Sequence, residues 1–360
     1  MSDEDLAGAP GRAAPPALET GAAATEAGVG ASVRPVDRRS RVSIPETAAL
    51  AVVLVGLFIF FSITSPYFFN DRNFIIILQQ VVRIGIVAAP ATLLLISGQF
   101  DLSVASIAAF TGMLLAVATA SPEAAKTPFA LGLPLEVGIV IAVLGALLVG
   151  VVNAVSVTTF RINALITTLG TLAIFRGLTK VIGNGQTINI DGFETLGLGQ
   201  IAGIPITIIL LFAVTAIFFV ILRYTTYGRS MYAIGASPTA ARLAGIRTNR
   251  AIFIGFMLSA ALAGLAGLIL VSQVGAAAIT AASGLELDVV TAVVLGGASL
   301  AGGRGSIVGT ILAVLIIGVL KNGLVQLGVQ QFWIEVATGA LLLLAVGADQ
   351  LRIRLTKSVS

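Results

Sequence analysis

Long apolar runs recur along almost the whole chain beyond residue 45, and no other feature restricts its folding so severely. A run of about 18 or more apolar residues crosses the hydrocarbon layer as a helix, because backbone in lipid must satisfy its own hydrogen bonds. Bounded by charge, Pro, Gly or Asn, the runs place spans at 46–63, 74–96, 104–120, 135–157, 163–182, 204–222, 251–271, 287–300, 306–325 and 332–347. They predict an all-α polytopic membrane protein of about ten transmembrane helices. Four runs are weaker than the rest: 104–120 and 332–347 are short, 287–300 is shorter still and holds Gly296 and Gly297, and 74–96 carries Gln79, Gln80 and Arg83.

Composition removes whole classes of function. Only 11% of the residues are charged, against about 25% in a soluble domain, which excludes an ordinary soluble enzyme. The chain has neither cysteine nor histidine. Disulfides, thiolate and imidazole metal sites, histidine-activated nucleophiles and histidine proton relays are excluded with them. No catalytic residue, metal ligand or cofactor is assigned. No G-x-x-x-x-G-K-[ST] run is present to cradle ATP; the segment from Gly183 to Thr187 lacks the lysine and reads as a loop.

Residues 1–45 are low in complexity and nearly free of large apolar side chains, so a disordered amino-terminal tail is expected, not a secretory leader. A membrane domain over 46–350 and a short carboxyl-terminal tail over 351–360 follow. With the amino terminus inside, the two tails, Arg161, the loop 223–250 and Arg304 hold 15 of the 21 Lys and Arg residues. By the positive-inside rule both termini are expected in the cytoplasm. The basic residues never form one continuous polar face, so membrane lipid is an expected partner and nucleic acid is not.

Two segments share a pattern. Ser97-Gly98-Gln99-Phe100-Asp101-Leu102-Ser103 and Gly296-Gly297-Ala298-Ser299-Leu300-Ala301-Gly302-Gly303 each interrupt an apolar run with small residues before a new helix begins. Two related halves with discontinuous helices are expected, plain interhelical turns being the alternative. Unwound backbone in a membrane must face protein or water, so such breaks point to a substrate path. Gly98, Asp101, Ser103, Gly296, Gly297, Gly302 and Gly303 are therefore candidate path or gating residues, with Asp101 placed to cap the helix that follows it. Gln79, Gln80 and Arg83 form the most interior polar cluster, suited either to lining the path or to buried hydrogen bonding. Asn163 and Thr167, with Thr92, Asn153, Thr168 and Gln273, add hydrogen-bonding groups for a neutral hydroxylated substrate. Glu136, Glu286, Asp288 and Glu335 read as helix-end carboxylates, and Phe58, Phe60, Phe61, Tyr67, Phe68 and Phe69 as interface anchors.

The loop 223–250 carries five arginines and no acid. Ser237 followed by Pro238 predicts the start of a short surface helix, either a docking helix for a cytoplasmic partner or a basic loop held at anionic lipid.

The segment Gly228-Arg229-Ser230-Met231-Tyr232-Ala233-Ile234-Gly235-Ala236-Ser237-Pro238, with Ala240-Ala241-Arg242-Leu243-Ala244-Gly245-Ile246, resembles the coupling region of the permease subunits of ribose-type bacterial ABC sugar importers. Three more stretches match that family in order: Ser97 to Ser106, Phe160 to Thr171 and Leu295 to Thr310. The resemblance covers roughly residues 45–350, and departs from the family pattern at Gln99, Phe100 and Ala105. It implies a paired, homodimeric permease in the bacterial inner membrane, a separate cytoplasmic ATP-binding subunit, and a periplasmic or extracellular solute-binding protein that delivers the sugar. It also implies that Gly228, Arg229, Gly235, Ala236, Ser237, Pro238, Ala241, Arg242 and Gly245 couple the permease to the ATPase. The alternatives are the same type of permease for a branched-chain amino acid, a nucleoside or a furanoside signal, a stand-alone secondary carrier or channel, and a scaffold without transport.

Overall fold

A computed structural model describes the backbone over residues 46–357 and the side chains over 47–347, except that of residue 124. The expected tail 1–45 lies outside the described residues. The helices of the bundle are α1 (Glu46–Thr64), α2 (Asp71–Ile96), α3 (Val104–Thr119), α5 (Leu135–Thr158), α6 (Ala164–Ile182), α8 (Ile206–Tyr224), α11 (Thr248–Val274), α12 (Leu285–Leu295), α13 (Ile307–Gln326) and α14 (Gln331–Lys357). Short connecting helices are α4 (Pro122–Ala125), α7 (Glu194–Leu198), α9 (Thr226–Ala236) and α10 (Pro238–Leu243). The chain is an all-α polytopic membrane protein.

Among the described residues, seven helices are long and apolar enough to cross a membrane: α1, α2, α5, α6, α8, α11 and α13. The sequence reading of ten spans differs at three places. The helices α3 and α14 carry shorter apolar stretches, and the run 287–300 is helical only to Leu295. The helix α12 ends at Gly296 and Gly297, where Gly297 has a left-handed φ of 89°, and Gly296 packs on the first turn of α13, where a β-carbon would stand 2.5 Å from the Thr310 amide nitrogen. Beyond it, Ala298 and Ser299 remain buried without being helical, so apolarity alone extends the apparent span. At the other end of the chain, α14 continues as helix through Lys357, past the expected boundary at 350.

Burial sorts the helices into two shells. In α11 and α13, 61% of the most apolar window is buried, against 11% in α1 and 28% in α5 and α6. The inner helices α2, α3, α11, α12 and α13 enclose the core, whereas α1, α5, α6 and α8 present apolar faces outward. Small residues bring the inner helices together: a β-carbon on Gly267 of α11 would lie 2.2 Å from the Ala108 carbonyl oxygen of α3. The aromatic cluster is divided in the same way. Phe60, Tyr67 and Phe69 are exposed, as an interface anchor requires, whereas Phe61 and Phe68 are buried where α1 packs on α13, with the Phe61 ring over Gly323. Those two are core residues, a correction to the anchoring role expected for the whole group.

Contacts define the two ends of the bundle. At one end lie α10, the break 97–103, the Arg304 turn and Thr158, whose carbonyl accepts from Asn249 Nδ2 at 3.1 Å. At the opposite end, β1 (Ile188–Asn189) pairs antiparallel with β4 (Ala276–Ala277), joining the loop after α6 to the loop after α11. The hairpin of β2 (Gln200–Ile201) and β3 (Ile204–Pro205) precedes α8 at that end.

Candidate functional site

Both helix breaks meet at one backbone junction, and α9 closes it. The Gly303 amide donates to the Ile96 carbonyl at 2.8 Å, so the end of α2 is bonded directly to the second break. Gly98, Gly302 and Gly303 have φ of 77°, 84° and 78°, left-handed values that favour glycine. Gly235 of α9 enters the same point. A β-carbon there would stand 1.8 Å from the Ile96 carbonyl oxygen and 2.5 Å from the Gly303 nitrogen. One turn earlier on α9, the Tyr232 hydroxyl donates to the Gly305 carbonyl at 2.7 Å; burial raises this phenol, and Arg223 partly offsets the rise.

Around the first break runs a buried polar chain that joins four elements. Asp101 accepts from the Ser103 amide at 3.0 Å, from the Ser103 hydroxyl at 2.5 Å and from the Ser259 hydroxyl of α11 at 2.6 Å. Ser103 Oγ in turn accepts from Asn153 Nδ2 of α5 at 2.8 Å, and Asn153 Oδ1 accepts from the Thr171 hydroxyl of α6 at 2.8 Å. All five side chains are buried, and the Asp101 oxygens are met by three donors, as buried polar groups require. Ser103 precedes the first residue of α3 but makes no side-chain cap bond; Asp101 accepts from the Ser103 amide two residues on, the bond an amino-terminal cap makes, and also ties the break to α11.

Ser237 Oγ accepts from the Ala240 amide at 3.2 Å and Pro238 occupies the first turn of α10, as the sequence predicts. Ala241 faces the bundle; Arg242 and Leu243 face outward, with Leu243 86% exposed. Beside them, a groove of about 720 Å³ is lined by Arg161, Arg242, Arg247 and Arg250. The preceding helix α9 was not legible as a helix in the polar loop, although Gly228, Met231 and Ile234 are its buried positions at a helical spacing and Thr225 caps it. At the opposite end, a cavity of about 470 Å³ is lined by Gln80, Arg83, Ser283, Asp288, Lys321 and Gln331, among others. Lys321 Nζ donates to both Asp288 oxygens at 2.6 Å, and Arg83 Nη1 donates to Gln273 Oε1 at 3.3 Å.

Residues 73–346 match the family described as the branched-chain amino acid transport system / permease component. The chain belongs to this permease family. The permease is also 37% identical to the ribose import permease protein RbsC of Escherichia coli (strain K12), over 83% of its own length and 92% of that protein's. It is 38% identical to RbsC of Bacillus subtilis (strain 168), over 82% and 91%, and 36% identical to the L-arabinose transport system permease protein AraH of E. coli, over 86% and 92%. No solved structure matches it.

The candidate residues of the permease do not share one place. Gly98, Gly302, Gly303 and Gly235 share the junction, while Asp101 and Ser103 lie in the polar chain. Gln80 and Arg83 line the open cavity, whereas Gln79 is half-buried and is not among its lining residues. Gly296 and Gly297 form the turn that ends α12. Asn163 is exposed and caps α6, its Oδ1 accepting from the Leu165 amide at 2.9 Å. Thr167 is buried, with no hydrogen-bond partner for its hydroxyl. Sequence reasoning missed the long-range pairs, Asp101 with Ser259 and Asp288 with Lys321. The signal available was that each is a polar residue inside or beside an apolar run.

Proposed function

We propose that this permease forms the membrane path of a monosaccharide importer driven by ATP hydrolysis in a separate subunit, with a pentose-type sugar as substrate. The observation that carries this reading is the junction: α9 leads into the exposed helix α10 and contacts both helix breaks through backbone atoms, so a displacement of α10 reaches the interrupted helices directly. Docking of an ATP-binding subunit falls on Arg242 and Leu243 and the adjoining arginine groove, with Ser237 and Pro238 setting the helix and Gly228, Gly235, Ala236 and Gly245 setting its packing. The cavity of Gln80, Arg83, Asp288 and Lys321 is the outward mouth of the path, facing the solvent side from which a solute-binding protein delivers sugar. Both termini are then cytoplasmic, in the inner membrane, and two copies form the working pair. The sugar imports named for the ribose and arabinose relatives support the substrate class.

A branched-chain amino acid is the second reading, favoured by the family description and by a cavity that offers charges of both signs. The test is uptake into proteoliposomes holding the permease with its ATP-binding subunit and binding protein. ATP-dependent accumulation of labelled ribose or arabinose is expected, unaffected by excess leucine. Accumulation of leucine instead selects the second reading, and uptake by the permease alone along an ion gradient overturns both.

A further inference from the structure

A further cavity, of about 590 Å³, is lined by the end of α8, by α9 and by the start of α13, and includes Arg229 of the coupling region. Its lining combines two chemistries: the guanidinium groups of Arg223 and Arg229, and the apolar side chains of Phe219, Leu222, Ile307 and Val308. Phe219 and Val308 are 39% and 47% exposed, on helices whose outer faces meet lipid. Arg223 lies in the last turn of the apolar helix α8, at the depth where a span passes into the headgroup layer. Among the described residues no acid pairs with either arginine; Arg229 reaches only the Tyr224 carbonyl, at 3.5 Å.

We infer that this cavity binds the phosphodiester headgroup of one anionic phospholipid, with its acyl chain lying on Phe219, Ile307 and Val308. Two guanidinium groups without counter-ions match a phosphodiester, and an adjoining apolar floor that faces the membrane matches an acyl chain. A free phosphate has no use for that floor, and an acidic protein surface does not reach below the headgroup layer. Tyr232 also lines the cavity, and its hydroxyl holds Gly305 of the second break. The bound lipid therefore lies against the junction and favours the arrangement in which α9 is closed on the break.

The test is native mass spectrometry of the full-length permease titrated with phosphatidylglycerol, phosphatidylcholine or inorganic phosphate. One saturable phosphatidylglycerol site is expected, with phosphatidylcholine weaker and millimolar phosphate unable to displace the lipid. Arg223→Gln with Arg229→Gln lowers the affinity roughly thirty-fold, about five-fold for each basic side chain at an anionic surface. Replacing both by lysine restores most of it, and Arg72→Gln at the opposite end has no effect. Equal binding of the two lipids, displacement by phosphate, or wild-type affinity in the double glutamine variant overturns the assignment. A photo-crosslinking phosphatidylglycerol on the unmodified protein gives a second measurement. Adducts on peptides containing Phe219 to Tyr232 or Gly305 to Val308 support the site, and adducts confined to other helices refute it.

Discussion

At Gly235 the absence of a side chain sets how closely three segments approach. Gly235→Ala puts a methyl group into the Ile96 carbonyl, which is backbone and has no rotamer to escape through. A destabilisation of about 3 kcal/mol, at the upper end of overpacking costs, is expected in thermal unfolding of the solubilised protein, together with loss of transport. Asp101 offers the converse case. Asp101→Ala strands three donors and costs about 3 kcal/mol, whereas Ser259→Ala removes only one donor and costs about 1 kcal/mol. An unfolding temperature unchanged by Ser259→Ala would show that the polar chain does not hold α11 to the break. Neither site was legible as a contact in the sequence, since Asp101 and Ser259 lie 158 residues apart. What the sequence did show was local: a serine before a proline at 237–238, and glycines where the chain turns left-handed.

The helices α9 and α10 are adjacent in sequence and separate in role, because one is held by backbone contacts and the other faces outward. Arg242→Glu leaves the fold within about 0.5 kcal/mol of its stability, as surface changes usually do. On the proposed docking role, it lowers affinity for the ATP-binding subunit roughly thirty-fold, the equivalent of about 2 kcal/mol. Co-purification at wild-type stoichiometry with normal uptake would overturn the docking role. The hold on α9 is also titratable. Tyr227 donates to the Ala251 carbonyl at 2.9 Å and Tyr232 to Gly305, and burial raises both phenols. Below about pH 10, the ordinary phenol value, both states keep the protons and the contribution is full. Above it the unfolded chain ionises first, so stability falls as pH rises toward the raised values. Thermal unfolding from about pH 8 to 11 tests this, with Tyr232→Phe giving a shallower decline. Element boundaries were legible to within about one residue at α1, α5, α6 and α13. They failed at α14, which runs through charged residues to Lys357, and at α12, where Ala298 and Leu300 continue the apolar run after Gly296 and Gly297 have turned the backbone.

For the whole molecule, the topology has a direct test because the chain contains no cysteine. Thr239→Cys on α10 is expected to react with a membrane-impermeant maleimide only after the cells are opened, and Leu198→Cys at the opposite end before; the reverse pattern would invert the molecule. The overall architecture was legible because lipid leaves a long apolar run few choices, while the packing among the helices depends on pairs that no local pattern reveals. One such pair is the short ladder of β1 with β4, which staples the loops following α6 and α11 at the end away from α10. It makes that end a fulcrum. With its 27 residues, α11 is a rod of about 40 Å. Turning it by about 5° about the staple carries its other tip through about 3.5 Å. A small push beside α10 can therefore be large where the breaks meet and nearly absent at the ladder.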